Sequence, residues 1–354
     1  MRATQLFNAF GTGYRHSIVS LAAGELDARA RLEERLYVDF PSFPDLKSGN
    51  LLSRLLSIKR RIGELNPDLV LTYNWGAIEV VMCERLFRMK PLLHHEDGFG
   101  PDEARSQIPR RKWFRRVALP GARKLIVPSR VLERIAKETW WQSSQTVCFV
   151  PNAVDIGLFD NKAVPTAIPG LDRSLGGLWV GTLAGLRPEK NLPRLVRAFA
   201  PVARNLDARL IIVGVGPEKD RILREARAHG VADRVHLPGF LPEPHRYVGL
   251  FDVFALSSDT EQGPLSLMEA MAARRPVVCT AVGDIPGMVA PENLRFVVER
   301  ENEGEFGAAL QTLLTDRRLR ASIGDANRRK VEREFAMPRM IHAYDRLYRS
   351  ALAV

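Results

Sequence analysis

The sequence contains little cysteine and no long apolar run. Three cysteines, Cys83, Cys148 and Cys279, occur among 354 residues, far apart and each within an apolar segment. This spacing allows neither a disulfide framework nor a zinc motif, so we expect a reducing compartment. No apolar run approaches the roughly 18 residues that a membrane-spanning helix needs, and the N-terminus does not resemble a signal peptide. We therefore expect a cytoplasmic protein.

Acidic residues are also fewer than basic residues. The chain has 52 Lys and Arg residues against 41 Asp and Glu residues, which gives a formal net charge of +11. This excess suits a polyanion, an anionic membrane or a phosphorylated substrate. A hydrophobic content of 45% beside 26% charged residues is typical of a globular protein. The length predicts two domains, each large enough to bury a core of its own.

Strand and helix patterns alternate along the chain. The opening predicts a strand over Gln5–Phe10, a glycine turn at Gly11–Gly13 and a helix from Arg15 to Ala23. Repeated strand–helix pairs of this kind predict parallel sheets covered by helices on both faces. A Pro- and Gly-rich segment, Val164–Gly177, marks the expected domain boundary. The final helix, Pro338–Leu352, has an apolar face that must cover another surface.

The most informative stretch runs from Phe251 to Val278. It predicts a short strand, a polar turn and then a helix with apolar residues at helical spacing. Glu261 falls in the turn, Glu269 lies more than one turn inside the helix, and Gly263 stands where the helix begins. Amide groups at a helix start lack internal partners and carry a positive dipole end, so they favour phosphate. A βαβ unit with two solvated glutamates fits the same pattern, because this spacing also occurs by chance.

A second candidate site follows the apolar segment Pro91–Leu93. The next four residues, His94 to Asp97, all have ionisable side chains, and Gly98 comes directly after them. Ligands in open α/β sheets bind at the carboxyl ends of parallel strands, where this segment is predicted to lie. We expect a binding role here; a solvated loop with one hydrogen-bonded histidine is the alternative.

A basic and aromatic segment lies between Arg105 and Lys124. It contains eight basic residues and no acidic residue, and Trp140-Trp141 follow nearby. One interpretation is a face that binds an anionic membrane or a lipid diphosphate. The other is an ordinary solvated helix. Nucleic acid is not an expected partner, because no nucleic-acid-binding module surrounds the segment. On the membrane interpretation, the docking residues are Arg110, Arg111, Lys112, Trp113, Arg115 and Arg116.

Four short segments occur together in order and spacing from residue 151 onward. They are PNAVD from residue 151, LRPEKN from residue 186, IIVGVGPEKDRI from residue 211 and SSDTEQGPLSLMEAMA from residue 257. Together they resemble a family 4 retaining glycosyltransferase with the GT-B fold, strongly over Leu178–Val289 and more loosely before it. The resemblance implies two facing Rossmann-like domains, one binding the acceptor (residues 1–163) and one binding the nucleotide sugar (residues 164–337). It also implies that a C-terminal helix, residues 338–354, crosses back onto the first domain.

The resemblance assigns roles to individual residues. Lys190 takes the position of the lysine that holds the donor diphosphate. Glu261 takes that of the glutamate near the donor sugar, and Glu269 that of the glutamate that reaches the ribose hydroxyls. His95 or Asp97, depending on the register, takes the place of the family's catalytic-site histidine in the first domain. The remaining donor-binding positions that it implies are Gly11, Gly13, Arg187, Gly214, Gly216, Phe240, Gly263, Pro264, Leu265 and Ser266.

The sequence departs from the family pattern at two further places. Gly185 stands where an arginine is common, which leaves Arg187 as the arginine available to contact the phosphate. Arg274-Arg275 replaces a glycine that usually precedes the proline after the second glutamate. These departures give some weight to a catalytically inactive relative that only binds a nucleotide sugar.

The implied activity is retaining transfer of a sugar from a UDP- or GDP-sugar to a lipid-linked or saccharide acceptor. The expected setting is bacterial cell-surface polysaccharide or lipopolysaccharide synthesis. Lys190 and a helix N-terminus would neutralise the leaving diphosphate, so neither a metal nor another cofactor is expected. The absence of an Asp-x-Asp motif agrees with this. The alternatives are a nucleotide-sugar epimerase or hydrolase of the same fold, or a non-catalytic binding protein. Docking of the basic segment would place the protein on the inner face of the plasma membrane.

Overall fold

The chain folds into two compact units. The structure, a computed structural model, describes residues 2–20, 27–46, 49–99, 103 and 106–353. Unit 1 comprises Met1–Asn152 and Met340–Val354, and unit 2 comprises Ala153–Arg339. The division falls earlier in the chain than the boundary predicted at residue 163. Among the described residues, no helix is both long enough and apolar enough to cross a membrane.

Unit 1 has two parallel sheets in its described part. The smaller sheet pairs β1 (Arg15–Ser17) with β2 (Tyr37–Asp39). The larger has the order β3-β4-β5-β6, with strands at Val70–Tyr73, Leu92–His95, Lys124–Val127 and Val147–Phe149. The helices of the first 152 residues are α1 (Arg2–Phe10), α2 (Leu51–Leu65), α3 (Ile78–Phe87), α4 (Pro109–Ala118) and α5 (Arg130–Glu138). All pairs within the larger sheet are parallel, as the alternation of strands and helices predicts.

The prediction for the start of the chain is wrong. Residues 5–10 belong to helix α1, and Arg15, expected to begin a helix, begins strand β1. Leu6, Phe7 and Phe10 share one helix face, and the first two are buried in unit 1. Gly11, at φ +57°, follows the helix in the left-handed conformation that glycine adopts at helix ends. The predicted helix beyond residue 20, up to Ala23, lies outside the described residues.

The correction at the N-terminus also concerns the two glycines that were predicted to contact the donor. Gly11 and Gly13 form a single 3-10 turn between helix α1 and strand β1. They therefore do not form the loop from a strand into a helix on which their predicted phosphate contact depended. A glycine directly after a helical apolar pattern is a helix-stop signal, and this signal could have been recognised from the sequence.

Unit 2 is built on one sheet of six parallel strands. These are β7 (Leu178–Leu183), β8 (Ala208–Val213), β9 (Val235–Gly239), β10 (Val253–Leu256), β11 (Val277–Thr280) and β12 (Val297–Val298). Its helices are α6 (Leu192–Asn205), α7 (Lys219–Ala228), α8 (Leu265–Ala272), α9 (Ile285–Met288), α10 (Glu303–Thr315) and α11 (Arg317–Glu334). A last helix, α12 (Met337–Leu352), contributes its residues from Met340 onward to unit 1.

The sheet of unit 2 is buried on both faces. Leu210 and Ile212 of β8 pack into one apolar cluster, whereas Ile211 and Val213 pack into another. Because successive side chains of a strand point to opposite faces, these two clusters lie on opposite sides of the sheet. This is the doubly wound arrangement that the continuous apolar strands predict.

The strand order of unit 2 reverses at its middle. The order is β12-β11-β10-β7-β8-β9, so the chain builds one half outward from β7 and then returns to begin the other half at β10. The loops after β7 and β10 consequently diverge to opposite sides at the carboxyl edge of the sheet. Such a reversal is where open α/β sheets bind ligands.

Candidate active site

Lys190 and Glu261 meet at the reversal point of unit 2. Lys190 comes from the loop after β7 and Glu261 from the loop after β10, 71 residues further along the chain. Lys190 Nζ lies 2.6 Å from Glu261 Oε1, and both side chains are largely buried. The structure thus brings together the two residues that were predicted to contact the donor diphosphate and the donor sugar.

Three neighbouring groups fix the Glu261 loop. The Ser258 hydroxyl donates to Glu261 Oε1 over 2.7 Å. The Ser258 carbonyl in turn accepts a 2.6 Å hydrogen bond from the Thr280 hydroxyl of β11. Gly283 lies against the Glu261 backbone at φ +56°, and a Cβ there would stand 1.9 Å from the Glu261 carbonyl oxygen. Gly283 is therefore required by both conformation and space, and the sequence analysis did not identify it.

The start of helix α8 lies directly after the Glu261 loop. Pro264 occupies the N-cap position without a capping side-chain hydrogen bond, and Leu265 and Ser266 are the first two residues of the helix. In this position Gly263 and Pro264 lead the chain into a helix end whose first amides lack intrahelical acceptors. Glu269 is the fifth residue of the helix, as predicted. Burial raises the pKa of Glu269 to about 7.

The two predicted glycines of the loop after β8 permit close backbone packing. Gly214 has φ +148°, and a Cβ on it would lie 1.9 Å from the carbonyl oxygen of Ala184. Gly216 has φ +157°, and its Cβ would lie 2.5 Å from the carbonyl oxygen of Leu186. Both carbonyls belong to the loop after β7, so the glycines let the two loops pack against each other at the carboxyl edge.

Arg187 and Phe240 are exposed residues at the same edge of the sheet. Arg187 belongs to the loop after β7 and forms an ion pair of 3.1 Å with Glu189. Phe240 follows β9 directly and its side chain is mostly exposed. Every donor-binding residue predicted in the second half of the chain therefore lies after β7, β8, β9 or β10, where strands of one parallel sheet end.

In unit 1, His95 is enclosed by aromatic rings. Its imidazole stacks on Tyr73 at a centroid distance of 4.3 Å and on Tyr344 at 5.7 Å. Nδ1 lies 3.1 Å from the carbonyl oxygen of Thr72. Burial, together with the nearby charge of Arg2, lowers the pKa of His95 well below its ordinary value. The ring is therefore neutral at pH 7.

Asp97 differs from His95 in its exposure. Its carboxylate pairs with Arg2, and 38% of its side chain remains exposed. Its backbone amide donates to the Asn74 side chain over 2.7 Å. Of the two residues between which the sequence could not choose, Asp97 is thus the one whose side chain reaches the surface of unit 1. The role of each residue stays a prediction.

The residues between and beside these two form a buried charged network that the sequence analysis did not anticipate. His94 Nε2 lies 3.5 Å from Glu96 Oε2, and Arg115 contacts both Glu96 at 3.4 Å and Glu103 at 3.1 Å. Burial raises the pKa of Glu103, but the hydrogen bonds and charge of Arg115, together with hydrogen bonds from the Ile108 amide and Arg111, outweigh this effect and leave the pKa below its ordinary value. The rings around the Arg115 guanidinium are Trp75, Phe99 and Trp140.

The burial of Arg115 corrects part of the predicted membrane face. Arg115 is fully buried and cannot contact a membrane. Trp113 and Trp141, in contrast, are 54% and 61% exposed. The Arg116 guanidinium lies over both rings, 4.4 Å and 3.4 Å from their centroids. Arg105, the first residue of the predicted segment, lies outside the described residues.

Comparison with known proteins identifies the family. The model of the glycosyl transferases group 1 matches residues 176–330, and the model of Glycosyltransferase Family 4 matches residues 11–158. The two matches follow each other along the chain and agree with the two parallel-sheet units. The chain belongs to the group 1 glycosyltransferases of family 4.

Relatives of this family 4 chain include two bacterial enzymes. The chain is 30% identical to N-acetyl-alpha-D-glucosaminyl L-malate synthase of Bacillus anthracis over 48% of its own length and 45% of that protein. It is 29% identical to N-acetylgalactosamine-N,N'-diacetylbacillosaminyl-diphospho-undecaprenol 4-alpha-N-acetylgalactosaminyltransferase of Campylobacter jejuni, over 48% of its own length and 44% of that protein. The chain thus spans about half the length of the curated relatives it matches.

A solved structure shows the same fold. HepE of Anabaena, solved with UDP and glucose, superposes with a TM-score of 0.78 at 18% identity, over 98% of this family 4 chain and 95% of HepE. The fold is therefore GT-B, as the resemblance implies. Among the residues that the structure describes, no group of three or more His, Cys, Asp or Glu side chains is arranged to hold a metal ion.

Proposed function

We propose that the chain is a retaining, metal-independent glycosyltransferase that moves a sugar from a UDP- or GDP-sugar to a lipid-linked or saccharide acceptor. The contact of Lys190 with Glu261 at the reversal of the unit 2 sheet, beside the start of α8, carries this proposal. It combines a cation, an anion and free helix amides where open α/β sheets bind ligands.

The proposed chemistry separates a nucleoside diphosphate from the sugar anomeric carbon. Negative charge grows on the leaving diphosphate, where Lys190 and the amides at the start of α8 stabilise it. Positive charge grows on the sugar ring, near the Glu261 carboxylate. Retention follows if the acceptor hydroxyl attacks from the side of the leaving group and a donor phosphate oxygen accepts its proton. Glu269 is assigned to the ribose hydroxyls.

The choice of partners is supported by the relatives. The Campylobacter enzyme is named for an acceptor linked to diphospho-undecaprenol, and HepE binds UDP and glucose. We assign this chain to bacterial glycan synthesis on that basis. The rival functions are a nucleotide-sugar epimerase or hydrolase and a non-catalytic binding protein, since both would keep the same donor site.

We further assign an anionic membrane surface to unit 1. The relevant surface, called the tryptophan patch below, consists of Arg110, Lys112, Trp113, Arg116, Val117 and Trp141. Arg111, which was also predicted to dock, instead pairs with Glu103 and lies over the Trp75 ring. Trp113 and Trp141 are exposed beside cationic side chains, and such a combination suits the interface of an anionic bilayer. Docking there would hold the protein near a lipid-linked acceptor, on the cytoplasmic face of the plasma membrane.

The first experiment identifies the donor and the reaction. Thermal shifts with a panel of UDP- and GDP-sugars select the donor, because a ligand that binds the folded chain stabilises it. The selected donor is then incubated with and without undecaprenyl-diphosphate-linked saccharides, and the products are identified by mass spectrometry. Transfer to the lipid-linked saccharide supports the proposal. Free sugar or an epimer in the absence of an acceptor supports the rival enzymes, and no product supports the binding protein.

A variant pair tests whether the site is the one assigned. Lys190→Ala should lower kcat/KM by about 10²-fold or more, because it removes a preorganised charge that acts on the transition state. Lys219→Ala, which removes an exposed lysine of the same unit, should leave kcat/KM unchanged. If Lys190→Ala retains activity within a few-fold of wild type while folded, the proposed site is wrong.

A further inference from the structure

The two loops that carry Lys190 and Glu261 are joined by a polar network that no feature of the sequence analysis indicated. We infer that Arg194, acting through Asp259, is a positioning residue that holds these two loops in the arrangement where Lys190 meets Glu261. Arg194 itself contacts neither of the two side chains. The inference rests on the proposed function only for its consequence in ligand binding.

Arg194 is the third residue of α6 and is nearly buried. Only 10% of its side chain is exposed. Its Nη1 donates to the carbonyl oxygen of Ser257 over 2.9 Å and lies 2.8 Å from Asp259 Oδ1. Both of these partners belong to the loop after β10. The Arg194 Nε also lies 3.9 Å from Glu303 Oε1, at the start of α10. A buried cation held in this way fixes its partners strongly, because releasing either one would leave a charge or a carbonyl unsatisfied.

Asp259 and Ser257 extend the contact to the loop after β7. The Asp259 amide donates to the carbonyl oxygen of Glu189 over 2.8 Å, and its carboxylate accepts from Asn191 Nδ2 over 3.2 Å. The Ser257 hydroxyl reaches the carbonyl oxygens of Lys190 and Asn191, at 3.1 Å and 3.0 Å. The backbone on both sides of Lys190 is therefore bound to residues that Arg194 holds.

The same loop ends at Glu261, two residues after Asp259. Glu261 lies 2.6 Å from Lys190. The loop after β10 therefore contacts the loop after β7 both through Ser257 and Asp259 and through Glu261. Loss of Arg194 would leave Asp259 without its ion pair to α6 and the Ser257 carbonyl without its donor, so the loop after β10 would lose these links and keep its hydrogen bonds to Glu189, Lys190 and Asn191. Lys190 and Glu261 would then remain in the chain but in a less defined geometry.

Helix α6 supplies a matched control. Arg197 lies one turn further along the same helix and pairs with Glu303 and Glu225. It is partly buried and carries the same charge, yet Glu303 and Glu225 belong to neither loop. Arg197→Gln therefore removes one ion-paired arginine from α6 and leaves the contacts of Asp259 intact. Arg194→Lys keeps a cation at the tested position and serves as the conservative variant.

The first readout is amide hydrogen exchange of the unliganded protein. We compare peptides covering residues 187–191 and 257–262 in wild type, Arg194→Gln, Arg194→Lys and Arg197→Gln. Arg194→Gln should exchange about tenfold or more faster in both peptides, as expected when a hydrogen bond to a charged group is lost. Arg197→Gln should match wild type there, and Arg194→Lys should fall between. Unchanged exchange in folded Arg194→Gln would overturn the inference.

The second readout is nucleotide binding, measured by calorimetry with UDP and with GDP. Arg194→Gln should bind the preferred nucleotide at least about tenfold more weakly, and Arg197→Gln should bind it like wild type. If the loops loosen but affinity is unchanged, the network is structural only and the inference fails. If wild type binds neither nucleotide, the proposed function fails, and hydrogen exchange still decides the role of Arg194. Should Arg194→Gln not fold, Asp259→Asn must loosen the same two peptides.

Discussion

Glu269 is the candidate-site residue with the clearest electrostatic signature. Its pKa is raised from 4.5 to about 7 because burial disfavours the ionised carboxylate. The folded chain thus holds this proton more tightly than the unfolded chain does. Stability contributed by this group is therefore fully present below pH 4.5 and is lost as the pH rises towards 7.

Glu269→Gln should remove this pH dependence. Glutamine cannot ionise, so the variant should gain stability relative to wild type as the pH rises from 4.5 to 7. The gain is limited to about 1.4 kcal/mol per pH unit, the value for one proton, and partial exposure of the side chain should keep it below this limit. Urea unfolding at pH 5, 6, 7 and 8 measures the difference.

The control for Glu269 is an exposed glutamate of the same unit. Glu292→Gln removes the same charge from an exposed position of unit 2 and should show no such trend between pH 5 and pH 7. A difference between Glu269→Gln and wild type that stays constant from pH 5 to pH 8 would show that the carboxylate is not desolvated in the folded chain.

At the scale of single elements, helix α4 carries both a buried arginine and basic residues of the exposed tryptophan patch. Arg115 points into unit 1, where two glutamates and three aromatic rings neutralise and enclose it. Trp113 and Val117 lie on the exposed side of the same helix. Neither sequence interpretation, a membrane-binding face or a solvated helix, included a buried cation, and helix α4 carries one on the face opposite its residues of the tryptophan patch.

The tryptophan patch should bind anionic vesicles in a salt-dependent way. Each basic residue near an anionic surface contributes about 1 kcal/mol, so Arg110→Gln with Lys112→Gln should weaken binding roughly tenfold or more. Trp113→Ala should weaken it too, because an interfacial aromatic ring is lost. Cosedimentation with phosphatidylcholine vesicles, with and without phosphatidylglycerol, at low and high salt measures this. Exposed charges are screened at high salt, so binding should fall there.

A second exposed aromatic residue of unit 1 controls the vesicle experiment. Tyr37 is as exposed as Trp141 and lies in strand β2, outside the patch. Tyr37→Ala should bind vesicles like wild type. Equal binding to neutral and anionic vesicles, or no binding at low salt, would mean that the tryptophan patch is only solvated surface.

At the scale of the whole molecule, both ends of the described chain pack into unit 1. Arg2 pairs with Asp97, and its guanidinium carbon lies 5.8 Å from the centroid of the Tyr344 ring. Tyr344 is fully buried and stacks on His95, while Tyr348 packs beside it at 5.9 Å. The C-terminal helix thus covers the strand end that carries the candidate residues of unit 1.

Tyr344→Ala should destabilise unit 1 strongly. Deleting a fully buried aromatic ring costs about 3–5 kcal/mol of unfolding free energy. Among the described residues, the Tyr344 hydroxyl has no hydrogen-bond partner, so Tyr344→Phe should be nearly neutral. Chemical unfolding of both variants, followed with separate probes because the two units can unfold apart, measures the losses. A Tyr344→Phe loss as large as that of Tyr344→Ala would show that the hydroxyl, not the ring, provides the stabilisation.

Much of unit 2 could be predicted from local sequence patterns. The short strand and the helix predicted between Phe251 and Val278 are β10 and α8, on either side of the predicted polar turn. Glu261 and Glu269 were found because helix starts and motif spacing are local signals, and Lys190 was found through the resemblance of its segment to the family. Gly283 was not predicted, because no local sequence pattern distinguishes it. Only glycine fits there because a Cβ would collide with the backbone of Glu261, which lies earlier in the chain.

The sequence by itself determined the parallel α/β class, the resemblance to the family and most of the candidate residues at the strand ends of unit 2. Only the tertiary structure decided which of them meet. Lys190 reaches Glu261 because β7 pairs with β10, a non-consecutive strand, and Arg194 joins their loops from a third element. The burial of Arg115 and the pairing of Arg2 with Asp97 likewise depend on contacts between distant segments of the chain. Hydrophobic periodicity indicates on which face of its own helix or strand a residue lies. An ion pair depends instead on which distant segment folds against that face.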